Sequence, residues 1–520
     1  MFTDQEESTK EFANECKQEC KNKFAQEFAN ESAQEFAQEF AQEFAYEKKL
    51  VSIVPSERQL ALEQMEFYGF IHFTVNTFTN REWGDGTETE AIFTPTDLDA
   101  DEWAEVAKEA GMKGLILTCK HHDGFCLWPS QFTNHTVANS PFRDGKGDVV
   151  RELSDACHRH GLKFGVYLSP WDRNHPTYGT GDAYNDYFVN QLTELLTNYG
   201  EIFAVWFDGA CGEGKNGKKQ VYDWNRYYQT IRRLQPNACI SVCGPDVRWC
   251  GNEAGDTRPS EWSVVPLRTK DTEKVAEKSQ QLDEDGFRTR RLAASDLDLG
   301  SREILRGEKT LIWYPAEVNT SIRPGWFYHE SEDDNVKSLE ELLHVYFNSV
   351  GGNATFLLNI PPTTAGRFHE NDKARLREFG AFLKKAFAKN LLDQATLSAD
   401  TEAETGKSSN ESSSIECIRV DDNASFVVQE GRHTLTVTAN WSKPQTIQYV
   451  VLKEDITKSQ RVEQFVLEAA DEAGNYQTIY EGTVIGYKKI ACLEKIQTSA
   501  LRLSITKSRV SPTLRFMGIY

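Results

Sequence analysis

Between Phe70 and about Lys389, short apolar runs alternate with amphipathic segments, and several of those segments end in glycine just before the next run. The junction repeats. Glu109-Ala110-Gly111 leads into the run 114–119, Arg159-His160-Gly161 into 163–168, and Asn198-Tyr199-Gly200 into 202–207. Glycine after a helix supplies the left-handed turn that returns the chain to a sheet, and continuous apolar runs suit parallel strands buried on both faces. Further runs stand at 239–243, 311–314 and 355–360. This succession of strand-then-helix units predicts an α/β fold, a TIM-like (β/α)-barrel, with a doubly wound open sheet as the alternative. No GxGxxG or GxxxxGK[ST] follows any run, whereas polar and aromatic residues gather just after the runs, where barrel enzymes carry their chemistry.

The two ends of the chain read differently. Residues 1–49 form a low-complexity tract in which Ala-Gln-Glu-Phe recurs. A four-residue period drifts around a 3.6-residue helix, so the phenylalanines trace a slow spiral, and a partly helical tail outside the fold is expected in preference to a partner-binding helix. The barrel domain is expected over 50–392 and a Ser/Glu/Thr-rich linker over 393–414. Residues 415–520 alternate without helical periodicity. Seven strands, at 425–429, 434–438, 446–452, 461–468, 477–480, 500–505 and 513–517, predict an antiparallel β-sandwich.

Composition narrows the function. A formal net charge of -21 over 520 residues, with no Lys/Arg-rich block, argues against nucleic acid and anionic membrane as partners. The 11 Trp and 18 Tyr fit sugar binding, because sugars stack C–H faces on aromatic rings, and fit a large core equally well. The 11 Cys are scattered, with no CxxC pair, so a reduced thiol set is expected. The N-terminus lacks a basic then apolar leader and no run of 18 apolar residues occurs, which predicts a cytoplasmic protein, or a periplasmic or extracellular one if the true start differs. Oligomeric state is not legible.

Asp208 ends the buried run 202–207 and is followed by Gly209. It either caps the next helix or serves as a carboxylate that attacks an anomeric carbon, in which case a second carboxyl must protonate the leaving oxygen. His121 and His122 directly follow the run 114–119. Neighbours on an extended strand point to opposite sides, so the pair is expected to hydrogen-bond hydroxyls and not to grip one metal ion. His72, Glu82 and Trp83 add a further donor, an acceptor and a flat wall near the end of the first run.

The segments Gly69-Phe70-Ile71-His72-Phe73, Glu82-Trp83-Gly84, Lys120-His121-His122-Asp123-Gly124-Phe125, Val166-Tyr167-Leu168-Ser169 and Val205-Trp206-Phe207-Asp208-Gly209 resemble, in order, those of family 29 glycoside hydrolases, the α-L-fucosidases. Gly351-Gly352-Asn353, Leu357-Leu358-Asn359-Ile360-Pro361 and the C-terminal 120 or so residues extend the resemblance. It implies Asp208 as nucleophile, with His72, Glu82, Trp83, His121, His122, Tyr167 and Trp206 lining a fucose pocket and Trp326, in Arg323-Pro324-Gly325-Trp326-Phe327-Tyr328, covering the sugar's methyl group. The loop Asp246-Val247-Arg248-Trp249-Cys250-Gly251-Asn252-Glu253-Ala254-Gly255 resembles the branch that takes α-1,3/1,4-linked fucose, which implies Glu253 as acid/base, with Glu261 and Glu317 as competitors. The implied reaction is retaining hydrolysis of a fucosylated oligosaccharide or glycoconjugate without metal or organic cofactor, in which Glu253 needs a raised pKa and Asp208 an ordinary one. A non-catalytic fucose-binding protein and another exo-glycosidase on the same barrel are the alternatives.

Overall fold

The computed structural model describes residues 38–270, 292, 296–401, 411, 412 and 414–520. The chain divides into Met1–Ser52 and Ile53–Tyr520. In the first unit residues 38–51 are helical, with Phe40 and Phe44 exposed; the expectation for residues 1–37 lies outside the described residues.

Barrel strands β1 (Phe67–Ile71), β2 (Gly114–Lys120), β3 (Lys163–Leu168), β4 (Ile202–Phe207) and β5 (Cys239–Val242) are the apolar runs of the sequence, buried at almost every position. Three of the helices between them begin on aspartate caps. Asp99 accepts from Glu102 N, Asp148 from Arg151 N and Asp223 from Arg226 N, each satisfying a first-turn amide. Gly161 ends the helix Val149–His160 at φ 72°, the left-handed conformation its position requires.

Of the remaining barrel strands only the last, the run expected at 355–360, was legible as an apolar run. After β5 the chain turns without a helix into β6 (Arg248–Trp249), makes an excursion containing the antiparallel pair β7 (Val264–Pro266) and β8 (Leu311–Trp313), and returns as β9 (Ala316–Ser321) and β10 (Ala354–Asn359). The parallel sheet runs β5-β4-β3-β2-β1-β10-β9-β6, and one bridge, Ser241 with Val247, brings its edges together into a nearly closed barrel. The open-sheet alternative is thereby overturned. The apolar run at 311–314 is not a barrel strand: β8 pairs with β7, and Tyr314 packs with Trp262, Val265 and Val484. Its place belongs to β9, which carries Glu317, Asn319, Thr320 and Ser321 yet is buried throughout, with Glu317, Asn319 and Ser321 finding partners inside the barrel.

The C-terminal domain is a β-sandwich. Strands β11 (Thr396–Ala399), β14 (Leu435–Lys453), β15 (Val462–Ala470), β16 (Tyr476–Gly482), β17 (Lys489–Ser508) and β19 (Phe516–Ile519) form one sheet; β12 (Glu411–Ser412), β13 (Ser425–Val427) and β18 (Thr513–Leu514) form the other. The strands expected at 434–438 and 446–452 are halves of β14, which carries an irregularity between Asn440 and Gln445 instead of a turn. Residues expected as linker contribute β11 at their start.

Barrel and sandwich are joined by buried charge. Glu66 receives Lys488 Nζ at 2.8 Å and Lys453 Nζ at 3.3 Å; burial pushes its carboxyl up, but Lys488, Lys453 and Lys113 together hold it at about 2. No helix among the described residues is long and apolar enough to cross a membrane.

Candidate active site

A cavity of about 680 Å³ opens at the C-terminal ends of the barrel strands. Asp208, the residue after β4, lies at its base with 24% of its side-chain surface open. Its Oδ1 accepts Ala210 N at 2.8 Å and its Oδ2 accepts the Tyr167 hydroxyl at 2.9 Å. It caps no helix, since the next one starts at Trp224 on its own cap, Asp223. Burial raises its carboxyl above the usual value, while the bonds from Ala210, Tyr167 and Gly209 pull it back. The ordinary pKa expected for this residue is therefore not what its surroundings produce.

The two histidines do not point to opposite sides. β2 ends at Lys120 and the chain turns, with Gly124 N bonded to His121 O at 3.0 Å, so strand alternation no longer applies. The imidazoles lie side by side, 4.1 Å between centroids. Lys120, wholly buried, fixes this turn by donating to Asp172 Oδ2 at 2.9 Å and Gln191 Oε1 at 3.0 Å.

Hydrogen bonds assign the imidazole faces. Ser169 Oγ donates to Trp171 O at 2.6 Å, so it accepts from His122 Nδ1 at 2.7 Å and leaves His122 Nε2 an acceptor, 3.8 Å from Asp208 Oδ2. Asn76 Nδ2 donates to His121 Nδ1 at 3.4 Å, leaving His121 Nε2 a donor. Asn359 Nδ2 donates to Ser321 Oγ and Trp326 O, so its Oδ1 accepts from His72 Nδ1 at 2.8 Å and His72 Nε2 is an acceptor. Burial keeps all three rings neutral, His72 near 4, His122 near 3 and His121 well below its ordinary value. One donor and two acceptors from neutral rings match an array of sugar hydroxyls. His121, His122 and Asp208 also bring three ligand atoms within 4.8 Å of one another, a set that could serve a metal ion with an open position.

Aromatic rings form the walls. Trp206 stacks on Tyr167 at 5.4 Å and donates its Nε1–H to Glu317 Oε1 at 2.7 Å. Trp83 stands edge-on to His122 at 5.1 Å and to Trp171 at 5.4 Å. Tyr167 does not itself line the cavity: it is fully buried and reaches the site through Asp208. Phe70, Trp249, Asn319 and Val242, not singled out from the sequence, do line it, with Trp249 Nε1 donating to Asn319 Oδ1 at 2.9 Å. Trp249 stood within the loop quoted above; Asn319 carried no sequence signal.

Glu82, Glu253 and Asp208 are the carboxyls lining this cavity among the described residues. Glu82 is engaged as an acceptor by Trp326 N at 2.9 Å, Phe327 N at 3.2 Å and His329 Nε2 at 2.8 Å. Glu253 accepts Trp326 Nε1–H at 2.9 Å. Its loop is held by Asn252 Oδ1, which accepts Ala254 N and Asp256 N at 3.0 Å each, and turns at Gly255, φ 84°, where Val345 packs too close for any side chain. The competitors lie elsewhere. Glu261 is paired with Arg248 at 2.6 Å and Arg258 at 3.3 Å, and Glu317 is buried with Tyr68 and Trp206 as donors. Two carboxyls facing one cavity, beside imidazoles that read hydroxyls, can cleave a glycosidic bond.

Comparisons with known proteins agree with this chemistry. The Alpha-L-fucosidase family model matches residues 8–387. Alpha-L-fucosidase 1 of Arabidopsis thaliana is 36% identical over 470 residues, covering 90% of this chain and 87% of its own length. The crystal structure of a putative alpha-L-fucosidase from Bacteroides ovatus is 43% identical with a TM-score of 0.77, covering 91% of this chain and 76% of the other. A Ruminococcus gnavus family 29 fucosidase solved in complex with fucose is 29% identical with a TM-score of 0.76, covering 90% of this chain and 95% of the other.

Proposed function

The chain belongs to the α-L-fucosidase family, and from that premise we propose that it is a retaining exo-α-L-fucosidase acting on α-1,3/1,4-linked fucose in oligosaccharides or glycoconjugates. The observation that carries the mechanism is the pairing of Asp208 with Glu253 in one cavity whose other carboxyl, Glu82, is engaged by three N–H donors.

Asp208 Oδ attacks C1 of fucose while Glu253 gives its proton to the departing glycosidic oxygen. A water then enters, Glu253 takes its proton, and the hydroxide oxygen displaces Asp208 from C1, so the anomeric configuration is restored. Retention requires the two carboxyls to stand roughly 5 to 5.5 Å apart when substrate is bound. His72 and His122 accept from fucose hydroxyls and His121 donates to one, while Trp326 covers the methyl group. The linkage preference is supported by the Asp246–Gly255 loop, with its Glu253 and the adjoining Trp249, which resembles the branch that accepts fucose on a branched acceptor.

Release of fucose from a nitrophenyl fucoside, with proton NMR of the first-formed anomer, tests activity and stereochemistry together. Initial appearance of the β-anomer from an α-fucoside sinks the double displacement, and no release at all favours a fucose-binding protein. Comparing 2-, 3- and 4-linked fucosyl oligosaccharides tests the linkage.

A further inference from the structure

A second cavity, about 1320 Å³, lies where the barrel meets the sandwich. One wall is residues 255–259, the limb that follows Glu253. Another is the helix Leu339–Ser349, through His344 and Asn348, and the third is the sandwich, through Gln464, Tyr480, Glu481 and Lys489. The walls are tied together. The Ser260 and Thr483 hydroxyls are bonded at 2.6 Å, Gly352 bridges Lys489, and Asn353 donates to Lys488 O at 3.0 Å while accepting Tyr487 N at 2.7 Å. A groove built this rigidly loses little freedom when a ligand enters.

Its lining is open for bonding. The side chains of Gln464, Glu481 and Lys489 and the Tyr480 hydroxyl make no hydrogen bond or ion pair among the described residues, and the Tyr480 ring is held by stacking on Phe465 at 5.9 Å. Both signs of charge are spread along the lining, Asp256 and Glu481 beside Lys489 and Arg258, with Arg258 also paired to Glu261. No ion is favoured by such a lining. An aromatic ring among unused donors and acceptors is the chemistry that holds uncharged, hydroxyl-rich rings.

We propose that this groove binds a neutral oligosaccharide, with the sandwich supplying half of the contacts. The inference rests on the fucosidase reading only for the kind of sugar chain expected. Its bearing on that reaction comes through Asn252, whose side chain ties Ala254 and Asp256 into the turn that presents Glu253 on one side and the groove wall on the other. The occupant is either the remainder of the fucosylated substrate or a separate glycan chain.

The test is saturation-transfer NMR on the full chain with lacto-N-neotetraose, a fucose-free neutral tetrasaccharide, in the presence of excess fucose. Transfer to the tetrasaccharide is expected, reduced roughly fivefold or more in Gln464→Ala/Lys489→Ala and in Tyr480→Phe, a change that keeps the ring stack. No transfer to the tetrasaccharide in the parent protein overturns the proposal, and so does transfer unchanged in both variants. Where binding is lost, a fall in kcat/KM for a fucosylated oligosaccharide but not for nitrophenyl fucoside assigns the groove to the remainder of the substrate. Unchanged kcat/KM for both assigns it to a separate glycan. A failed fucosidase reading is distinguishable, because fucose release would be missing while tetrasaccharide binding stood.

Discussion

Trp326 donates its indole N–H to Glu253 Oε2 at 2.9 Å, while its own backbone N–H is held by Glu82 Oε2 at 2.9 Å. A carboxylate on the first barrel loop thus fixes the turn that fixes the proposed acid/base. Glu253 sits on a glycine-flanked loop that could otherwise swing, so its reach to the glycosidic oxygen depends on this bond.

Trp326→Phe keeps an apolar cover for the sugar and removes the N–H. The expected result is a fall of about tenfold in kcat for a fucosylated oligosaccharide, whose leaving group needs a proton, and a smaller fall for nitrophenyl fucoside, whose leaving group does not. Equal losses on both substrates, confined to KM, would make Trp326 a binding residue alone.

Asp208→Asn removes the proposed nucleophile without changing shape. Turnover of nitrophenyl fucoside should drop on the order of 10³-fold or more. Because burial already disfavours the ionised form of Asp208, its neutral replacement should leave the melting temperature equal or higher near pH 7. Lost activity with a lowered melting temperature would assign Asp208 to the fold.

Tyr167 offers a pH readout of the same carboxyl. Its hydroxyl bond favours ionised Asp208 and offsets part of the upward push of burial. Tyr167→Phe removes that offset, so the acid limb of the kcat/KM profile, which reports ionisation of the proposed nucleophile in the free enzyme, should move to higher pH. A limb that stays in place, or moves down, separates Tyr167 from the nucleophile.

The sequence carried the parts of the fold that burial writes into composition. β1 to β5 are apolar because both their faces are covered, and they were found to within a residue or two wherever bounds were drawn. β9 was lost for the opposite reason. Glu317 and Asn319 are polar by composition and buried by virtue of partners on other strands, Trp206 and Trp249, that no local pattern reveals. The run at 311–314 misled because an apolar segment at the junction with the sandwich looks like one inside the barrel. The site was legible where residues follow a strand directly, as with Asp208, His121 and His122; the relative aim of the two imidazoles was not, since it depends on where β2 stops.

Glu317 ties stability to pH inside the barrel. Burial raises its carboxyl from 4.5 to about 7, against the lowering effect of the Tyr68 and Trp206 donors. The folded protein therefore holds this proton between about 4.5 and 7 while the unfolded chain releases it, and stability must fall as pH rises through that window. The contribution is complete below the unfolded value and lost above the folded one, a span worth roughly 3 kcal/mol for a shift of this size. In Glu317→Gln the side-chain oxygen still accepts from Trp206, and the amide donates to Tyr68, whose hydroxyl turns to Thr355 Oγ1, 3.1 Å away. The variant should match the parent at pH 5 and be the more stable at pH 8, with a shallower decline between, the residual slope coming from other buried carboxyls such as Glu63, raised to about 8. Urea unfolding at a series of pH values reads this directly, and parallel curves for parent and variant would show that Glu317 does not titrate in the folded protein.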